Sequence, residues 1–313
     1  MRANSSYSGT STVILGSNAG ASGTVYVQGA GSSFAAGTDL VVGDLGTGFM
    51  QVENGATATA KALYFGRSGG AGTLNVTGAS SSLTTQTAVL TEGAVAIKNG
   101  GLVKASNTMK IADYSGIAST VTVQDMGSQL QVVNGLTVGA GGNGQLIVLA
   151  GGTASAGQLV IGAGGAVNLQ GGTLKVGSAS ILDGGAFNFA SGVLNYTANA
   201  ATGAGSLLGT GGTLGAGTLL KADAGFTVAD GTSLSLLGGN AQAQSFQVAV
   251  QGSLTVGLGS MVGINVNAGE KCQIGAMSVV LKGTRLDADS IYVGVPVRKI
   301  ERSVPAAVVE TAS

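Results

Sequence analysis

Leu74-Asn75-Val76, Val95-Ala96-Ile97, Val121-Thr122-Val123 and Leu146-Ile147-Val148 are one short strand written four times. Val25-Tyr26-Val27 and Met50-Gln51-Val52 precede them, and Val167-Asn168-Leu169 follows. The strand centres, at 27, 52, 76, 97, 123, 148 and 169, are 25, 24, 21, 26, 25 and 21 residues apart. A second apolar run follows most of them and closes on glycine, as in Leu40-Val41-Val42-Gly43, Leu63-Tyr64-Phe65-Gly66, Leu136-Thr137-Val138-Gly139 and Leu159-Val160-Ile161-Gly162. Self-similarity at this period predicts a β-solenoid, in which each coil buries its apolar side only against its neighbours. In Leu74-x-Val76 the alternation sends one side into a core and the other to solvent.

Composition supports that reading. The chain has 313 residues, with 57 Gly, 2 Pro, 4% aromatic and 9% charged residues. An average soluble protein carries about 25% charge. Low charge with positive mean hydropathy (+0.41) opposes disorder, and glycine without a Gly-X-Y period opposes collagen. Net charge is zero and no basic stripe appears, so nucleic acid is excluded as an expected partner. No apolar run is long enough for a membrane helix. The opening Met1-Arg2-Ala3-Asn4-Ser5-Ser6 lacks the apolar core of a signal peptide, so export is expected only of a mature or trimmed form. A single cysteine permits no internal disulfide.

Outward from the central repeats, residues 1–22 read as a first partial coil around Thr12-Val13-Ile14-Leu15-Gly16, whose outer end has to be polar or protected. Gly29-Ala30-Gly31-Ser32-Ser33-Phe34 matches Gly78-Ala79-Ser80-Ser81-Ser82-Leu83 and Asp125-Met126-Gly127-Ser128-Gln129-Leu130. Between them come Asn54-Gly55-Ala56-Thr57, Asn99-Gly100-Gly101-Leu102 and Ala150-Gly151-Gly152-Thr153, so the full unit is two coils. Asn-Gly at 54–55, 99–100, 134–135 and 143–144 is expected to supply positive φ at corners. From Gly171 to Gly239 the coils are less regular, with a looser segment expected over Thr197 to Gly212.

The pattern of residues 10–245, h-x-V-x-x-x-G-(S/T)-x-h followed by L-x-V-G, resembles the Gly-rich passenger repeats of autotransporters and related β-helical adhesin-type proteins of Gram-negative bacteria. The resemblance implies a right-handed parallel β-helix displayed at the cell surface. The chain departs from that family in having no C-terminal run of alternating membrane-barrel strands.

Beyond residue 248 the period becomes six. Val250, Val256, Val262, Ala268, Ile274, Val280 and Leu286 recur without a slip, and Leu254, Ser260, Val266, Cys272, Ser278, Thr284 and Ser290 follow four residues later. Three hexads make one triangular coil. The end, Ser290-Ile291-Tyr292-Val293-Gly294-Val295-Pro296-Val297-Arg298-Lys299-Ile300, resembles the C-terminal end of hexapeptide-repeat acyltransferases, which implies a left-handed β-helix over about 250–300, often trimeric. Charge also rises there: 249–313 holds 6 Lys/Arg and 5 Asp/Glu, against 8 and 9 in the first 248 residues. The expected organisation is a passenger-like body at 1–248, hexapeptide coils forming a cap at 249–300, native or engineered, and a tail at 301–313. The expected class is all-β: a right-handed β-solenoid with a left-handed C-terminal cap.

Nothing in the sequence forms a reaction centre. There is no histidine, which removes Ser-His-Asp and Cys-His systems and imidazole zinc sites, and with them the base that hexapeptide acyltransferases typically use. The carboxylates Asp39, Asp44, Glu53, Glu92, Asp113, Asp125, Asp183, Asp223 and Asp230 read as solvated turn residues and not as a glycosidase pair. Gly69-Gly70-Ala71-Gly72 and Gly141-Gly142-Asn143-Gly144 lack the aspartate of calcium-binding nonapeptides, and Asp287-Ala288-Asp289 reads as a hydrated corner. Cys272 reads as a buried structural thiol. Tyr64-Phe65 and Phe187-Asn188-Phe189 are expected to stack in the core. Thr57-x-Thr59 and Thr120-x-Thr122 do not recur at one position, which opposes an ice-binding face. No catalytic, cofactor-binding or metal-ligating residue is assigned. The expected function is non-enzymatic adhesion to a glycan, matrix or another cell, through exposed positions such as Gln51, Glu53, Asn75 and Thr77. The alternative is a scaffold that self-associates through its coil ends or C-terminal coils. Acyl transfer or action on polysaccharides is a distant third.

Overall fold

The computed structural model describes residues 4–257 and the backbone of four further strands, Met261–Gly263, Val266–Ala268, Gln273–Ile274 and Arg285–Leu286. It is all-β: parallel strands stacked as a solenoid of about 11 turns. Among the described residues no helix is long and apolar enough to cross a membrane.

Each coil has three sides. The first face is built from Ser22–Gln28, Thr47–Glu53, Ala71–Thr77, Gly93–Lys98, Ala118–Val123, Asn143–Leu149 and the start of Gly165–Ile181. Its register runs Val27, Val52, Val76, Ile97, Val123, Val148, Leu169, which is the set of centres read from the sequence. The Gly-closed runs stack separately as a third face: Leu40 on Leu63, Ala88, Met109, Leu136 and Leu159. Between them lies a second face, of Ser33–Ala35, Thr57–Thr59 and their successors, which the sequence presents only as turn motifs. Coils therefore carry three strands where two were expected. The inward columns (Leu74, Val76, Leu83, Leu90 and their equivalents) merge into one unbroken apolar core from Leu15 to Val256.

The two-coil unit has a hydrogen-bonding cause. The long corners bury a serine, Ser32, Ser81 or Ser128, at 0–1% exposure. Ser81 Oγ accepts from the Gly55 amide (2.9 Å) and Ser128 Oγ from the Gly100 amide (3.0 Å), each on the adjoining tight Asn-Gly corner. A long corner thus satisfies a donor that its short neighbour leaves unpaired. Asn54-Gly55 and Asn99-Gly100 do take positive φ, 58° and 82°, then 52° and 88°.

The other two Asn-Gly pairs correct the expectation. Neither Asn134-Gly135 nor Asn143-Gly144 has positive φ; both lie in strands, Gln129–Val138 and Asn143–Leu149. Gly144 is required by contact: a Cβ there would sit 2.4 Å from the Gly139 nitrogen. It belongs to an in-register column at the entrance to the first face, Gly23, Gly48, Gly72, Gly93, Ser119, Gly144 and Gly165. At each glycine of this column an added Cβ meets backbone at 2.0–2.5 Å. Ser119 is tolerated where the preceding corner is longer, and its hydroxyl donates to the Thr91 carbonyl at 3.0 Å.

The irregularity expected from Thr197 to Gly212 is a break in the first face. After Ala186–Tyr196 that face resumes as a separate four-stranded sheet, Gly211–Gly215, Ser233–Leu237, Ser253–Val256 and Gln273–Ile274. The intervening turn is pinned by the Ile181 amide on the Gly205 carbonyl (2.6 Å), and Leu207 plugs it at 5% exposure. Phe187 and Phe189, 5.8 Å apart at the break, pack against the core only in part.

Strands pair across residue 248 without interruption, Leu234 on Leu254 and Ala241 on Val262. Val256 pairs with Ile274 and Ala268 with Leu286. Val250, the first apolar hexad position, is 62% exposed in a turn, whereas Leu254 and Val256 are buried. The physical reason is that the strand begins only at Ser253, so the inward alternation starts with Leu254. Cys272, Asp287, Asp289, the acyltransferase-like end and the tail lie outside the described residues.

Candidate interaction surface

Because strand alternation sends every second side chain outward, the first face presents three columns to solvent. One runs Thr24, Phe49, Thr73, Ala94, Thr120, Gln145 and Ala166; the next runs Tyr26, Gln51, Asn75, Ala96, Thr122, Ile147 and Asn168. The third runs Gln28, Glu53, Thr77 and Lys98. Only Glu53 and Lys98 among these are charged, so the face is flat, polar and almost neutral. Asn188 continues the middle column and donates to Asn168 Oδ1 at 2.8 Å.

The four positions named from the sequence, Gln51, Glu53, Asn75 and Thr77, come together here on two adjacent strands, all half-buried. Glu53 organises them. Its carboxylate accepts Gln28 Nε2 at 2.6 Å from the coil before and Gln51 Nε2 from its own strand. The sequence reading missed the neighbours: Tyr26, 47% exposed, and Phe49, half-buried, lie 5.7 Å apart with rings tilted by 54°. They are far apart in sequence, and only the register joins them.

Tyr64 and Phe65 do not stack together. Phe65 is core, while Tyr64 points outward on the third face with the Arg67 guanidinium 5.9 Å from its ring centre. The reason is alternation: neighbours in one strand cannot share a side. The threonine pairs also separate by face. Thr57-x-Thr59 lies on the second, where Ser82-x-Thr84 stacks in register on it, and Thr120-x-Thr122 lies on the first. Hydroxyls therefore do recur at one position over two coils, which the spacing alone conceals.

Apart from Glu53, each carboxylate with a described partner serves a turn or a lysine. Asp44 accepts from Ser68 Oγ (2.7 Å) and from Arg67 Nε and Nη2 (both 3.3 Å), which ties two successive corners. The Ser68 hydroxyl and the Arg67 guanidinium hold its carboxyl below the usual aspartate value, against the opposing effect of burial. Asp223, bonded to Lys221 (2.9 Å) and Asn195 (3.2 Å), is lowered for the same kind of reason. Asp113 pairs with Lys110, Asp125 accepts from the Asn99 amide, and Asp230 accepts from the Gln251 amide. Asp113 and Asp125 lie at opposite ends of Ala118–Val123, about 20 Å apart along the strand, too far to act as an acid–base pair. Among the described residues no group of His, Cys, Asp and Glu is placed to hold a metal ion. Burial pushes the Tyr196 phenol up; its ring lies against Phe226 and, through it, Phe246, an aromatic ladder inside the core.

The N-terminal end is the second exposed feature. Ser6–Ser8, Val13–Leu15 and Ser22–Gln28 each pair on one side only among the described residues. Above them opens a groove of about 700 Å³ lined by Tyr7, Val13, Val25, Tyr26 and Phe34 with Ser5, Ser6 and Thr24. Tyr7 stacks on Phe34 at 5.1 Å and stays 44% exposed. The partial first coil is as expected, and among the described residues its groove mixes apolar Val13, Val25 and Phe34 with the hydroxyls of Ser5, Ser6 and Thr24.

No family model matches the chain, and no curated protein matches it in sequence. Among solved structures, a TibA fragment described as hyper-glycosylated by TibC is similar over 92% of this chain and 98% of its own, with 15% identity and a TM-score of 0.37.

Proposed function

We propose that this chain is a non-enzymatic, surface-displayed or secreted β-solenoid that binds a glycan, a matrix or another cell along its first face. The observation that carries the reading is that face itself: outward columns in register over seven coils, nearly free of charge, with an aromatic pair at one end. Display outside the cell follows from the resemblance to autotransporter passengers. The hexapeptide coils after 248 are proposed to terminate the stack. The test is a scan of Gln51, Glu53, Asn75 and Thr77 to alanine, with binding measured on glycan arrays, matrix proteins and cells. Loss of binding in folded variants supports the reading, and a chain that binds none of these surfaces removes it.

The open N-terminal groove favours a second reading, self-association through the coil ends. Strand edges that pair on one side only among the described residues, beside exposed Tyr7 stacked on buried Phe34, are a template for another chain. Light scattering on a sizing column, with negative-stain images of the same peak, separates the two: a monomeric rod leaves adhesion, whereas end-joined trimers or filaments favour the scaffold.

A further inference from the structure

We infer that the first face carries a saccharide subsite for a neutral pyranoside chain, formed by Tyr26, Phe49, Gln28, Gln51, Glu53 and Asn75; this rests on the adhesive reading above. A pyranose has one face of C–H groups and a rim of hydroxyls. It is held by an aromatic ring against the first and by planar amides and carboxylates against the second. This patch supplies both. The Tyr26 ring is 47% exposed and braced by Phe49 at 5.7 Å, so the platform is fixed before a ligand arrives.

The polar half is equally fixed. Gln28 and Gln51 each commit their amide nitrogen to Glu53, which leaves each carbonyl oxygen as the group able to accept from a sugar hydroxyl. Gln51 sits beside Tyr26 and Asn75 beside Gln51, one coil further each time. Rungs about 4.8 Å apart are comparable in length to one pyranose unit, so a short chain laid along the axis meets the aromatic pair first and the amides next. Ligand charge follows from the site. Its one acidic side chain is Glu53, which disfavours a uronate or sulfate, and the columns around it offer no cation nearer than Lys98, two coils away.

The experiment uses the full chain and measures binding of neutral glucan, galactan and chitin oligosaccharides by calorimetry and by emission of its six tyrosines, there being no tryptophan. Polygalacturonate and heparin are the charged controls. The expected result is binding of at least one neutral series, insensitive to salt. Tyr26→Ala and Glu53→Gln should each weaken it about tenfold or more, and Tyr26→Phe should retain it. Both side chains are outside the core, and circular dichroism is the check that the variants fold. Preference for the polyanions overturns the subsite, as does neutral binding untouched by both variants. A wild-type chain that adheres to cells but takes none of the oligosaccharides overturns the subsite and leaves adhesion standing. One that does neither overturns both.

Discussion

Replacing Gly48 by alanine adds one methyl group, and the geometry says that it has nowhere to go. The new Cβ would lie 2.1 Å from the Gly43 nitrogen and 2.6 and 2.9 Å from the carbonyl carbon and Cα of Val42. Ordinary contact between such atoms begins at about 3.5 Å, so the shortfall is roughly 1.4 Å. Overpacking a core typically costs about 1–3 kcal/mol when side chains can yield. Here the obstacle is backbone at the end of one strand, held in register above and below, so the cost should reach or exceed about 3 kcal/mol. Alanine also restricts the unfolded chain, which returns about 0.4–1 kcal/mol. The net expectation is a loss of at least about 2 kcal/mol. Gly135→Ala is the matched control. That glycine has no positive φ, and its Cβ would meet only a Thr108 methyl at 3.8 Å. The unfolded-state gain stands alone there, and stabilisation of about 0.4–1 kcal/mol is expected. Guanidinium unfolding by circular dichroism measures both. Hydrogen exchange of the Val27, Val52 and Val76 amides localises the damage should the solenoid unfold in more than one step. A Gly48→Ala midpoint equal to that of wild type, or a Gly135→Ala protein as damaged as Gly48→Ala, would refute the contact argument.

Three further outcomes are expected. Ser128→Ala removes the acceptor of the Gly100 amide from a fully buried site and should cost about 1–3 kcal/mol in denaturant titration; Ser128→Thr tests whether the hydroxyl alone suffices. Asp44→Asn should lower stability at pH 7 by up to about 1 kcal/mol, as its arginine partner is half-exposed. Because the folded carboxyl is held below its unfolded value, that contribution is present above the unfolded pKa of about 3.9 and disappears as pH falls through the folded one. The gap between wild type and variant should therefore close on acidification below about pH 4; a gap unchanged at pH 3 refutes the assignment. Deleting residues 249–313 should expose strand edges and cause aggregation on a sizing column, and a soluble, monodisperse product rejects the capping role.

Much of the fold was legible in the sequence because a parallel solenoid repeats its core position at each coil. Val27, Val52 and Val76 sit one above another, so their spacing is the coil length. The buried serines Ser32, Ser81 and Ser128 likewise recur in every second coil. What stayed hidden shares one cause: composition does not report contacts between coils. Ser33–Ala35 and Thr57–Thr59 have the composition of turns, and pairing alone makes them strands. Glycine letters do not say whether φ or close approach requires them, which is why Gly55 and Gly144 look alike in sequence and differ in structure. Tyr26 and Phe49 gave no signal, since a site assembled from neighbouring coils has no local motif.

The same low charge that makes the first face suited to a neutral ligand also leaves the coil ends with little electrostatic repulsion between copies. The two proposed readings, adhesion and self-assembly, therefore draw on one compositional choice, but they would use different parts of the rod. Side binding would use outward columns that each coil repeats, so it would be a property of the single molecule and survive dilution. End association would use the edges of Ser6–Ser8, Val13–Leu15 and Ser22–Gln28, so it would weaken as protein concentration falls. Tyr26 borders both regions, since its ring lines the N-terminal groove and also stands on the first face. Tyr7 belongs to the groove alone. A surface whose capture by the protein is lost in Tyr26→Ala and kept in Tyr7→Ala, at a concentration where the chain is monomeric, is bound along the side. Equal loss in both variants assigns capture to the end, and adhesion would then be a consequence of assembly.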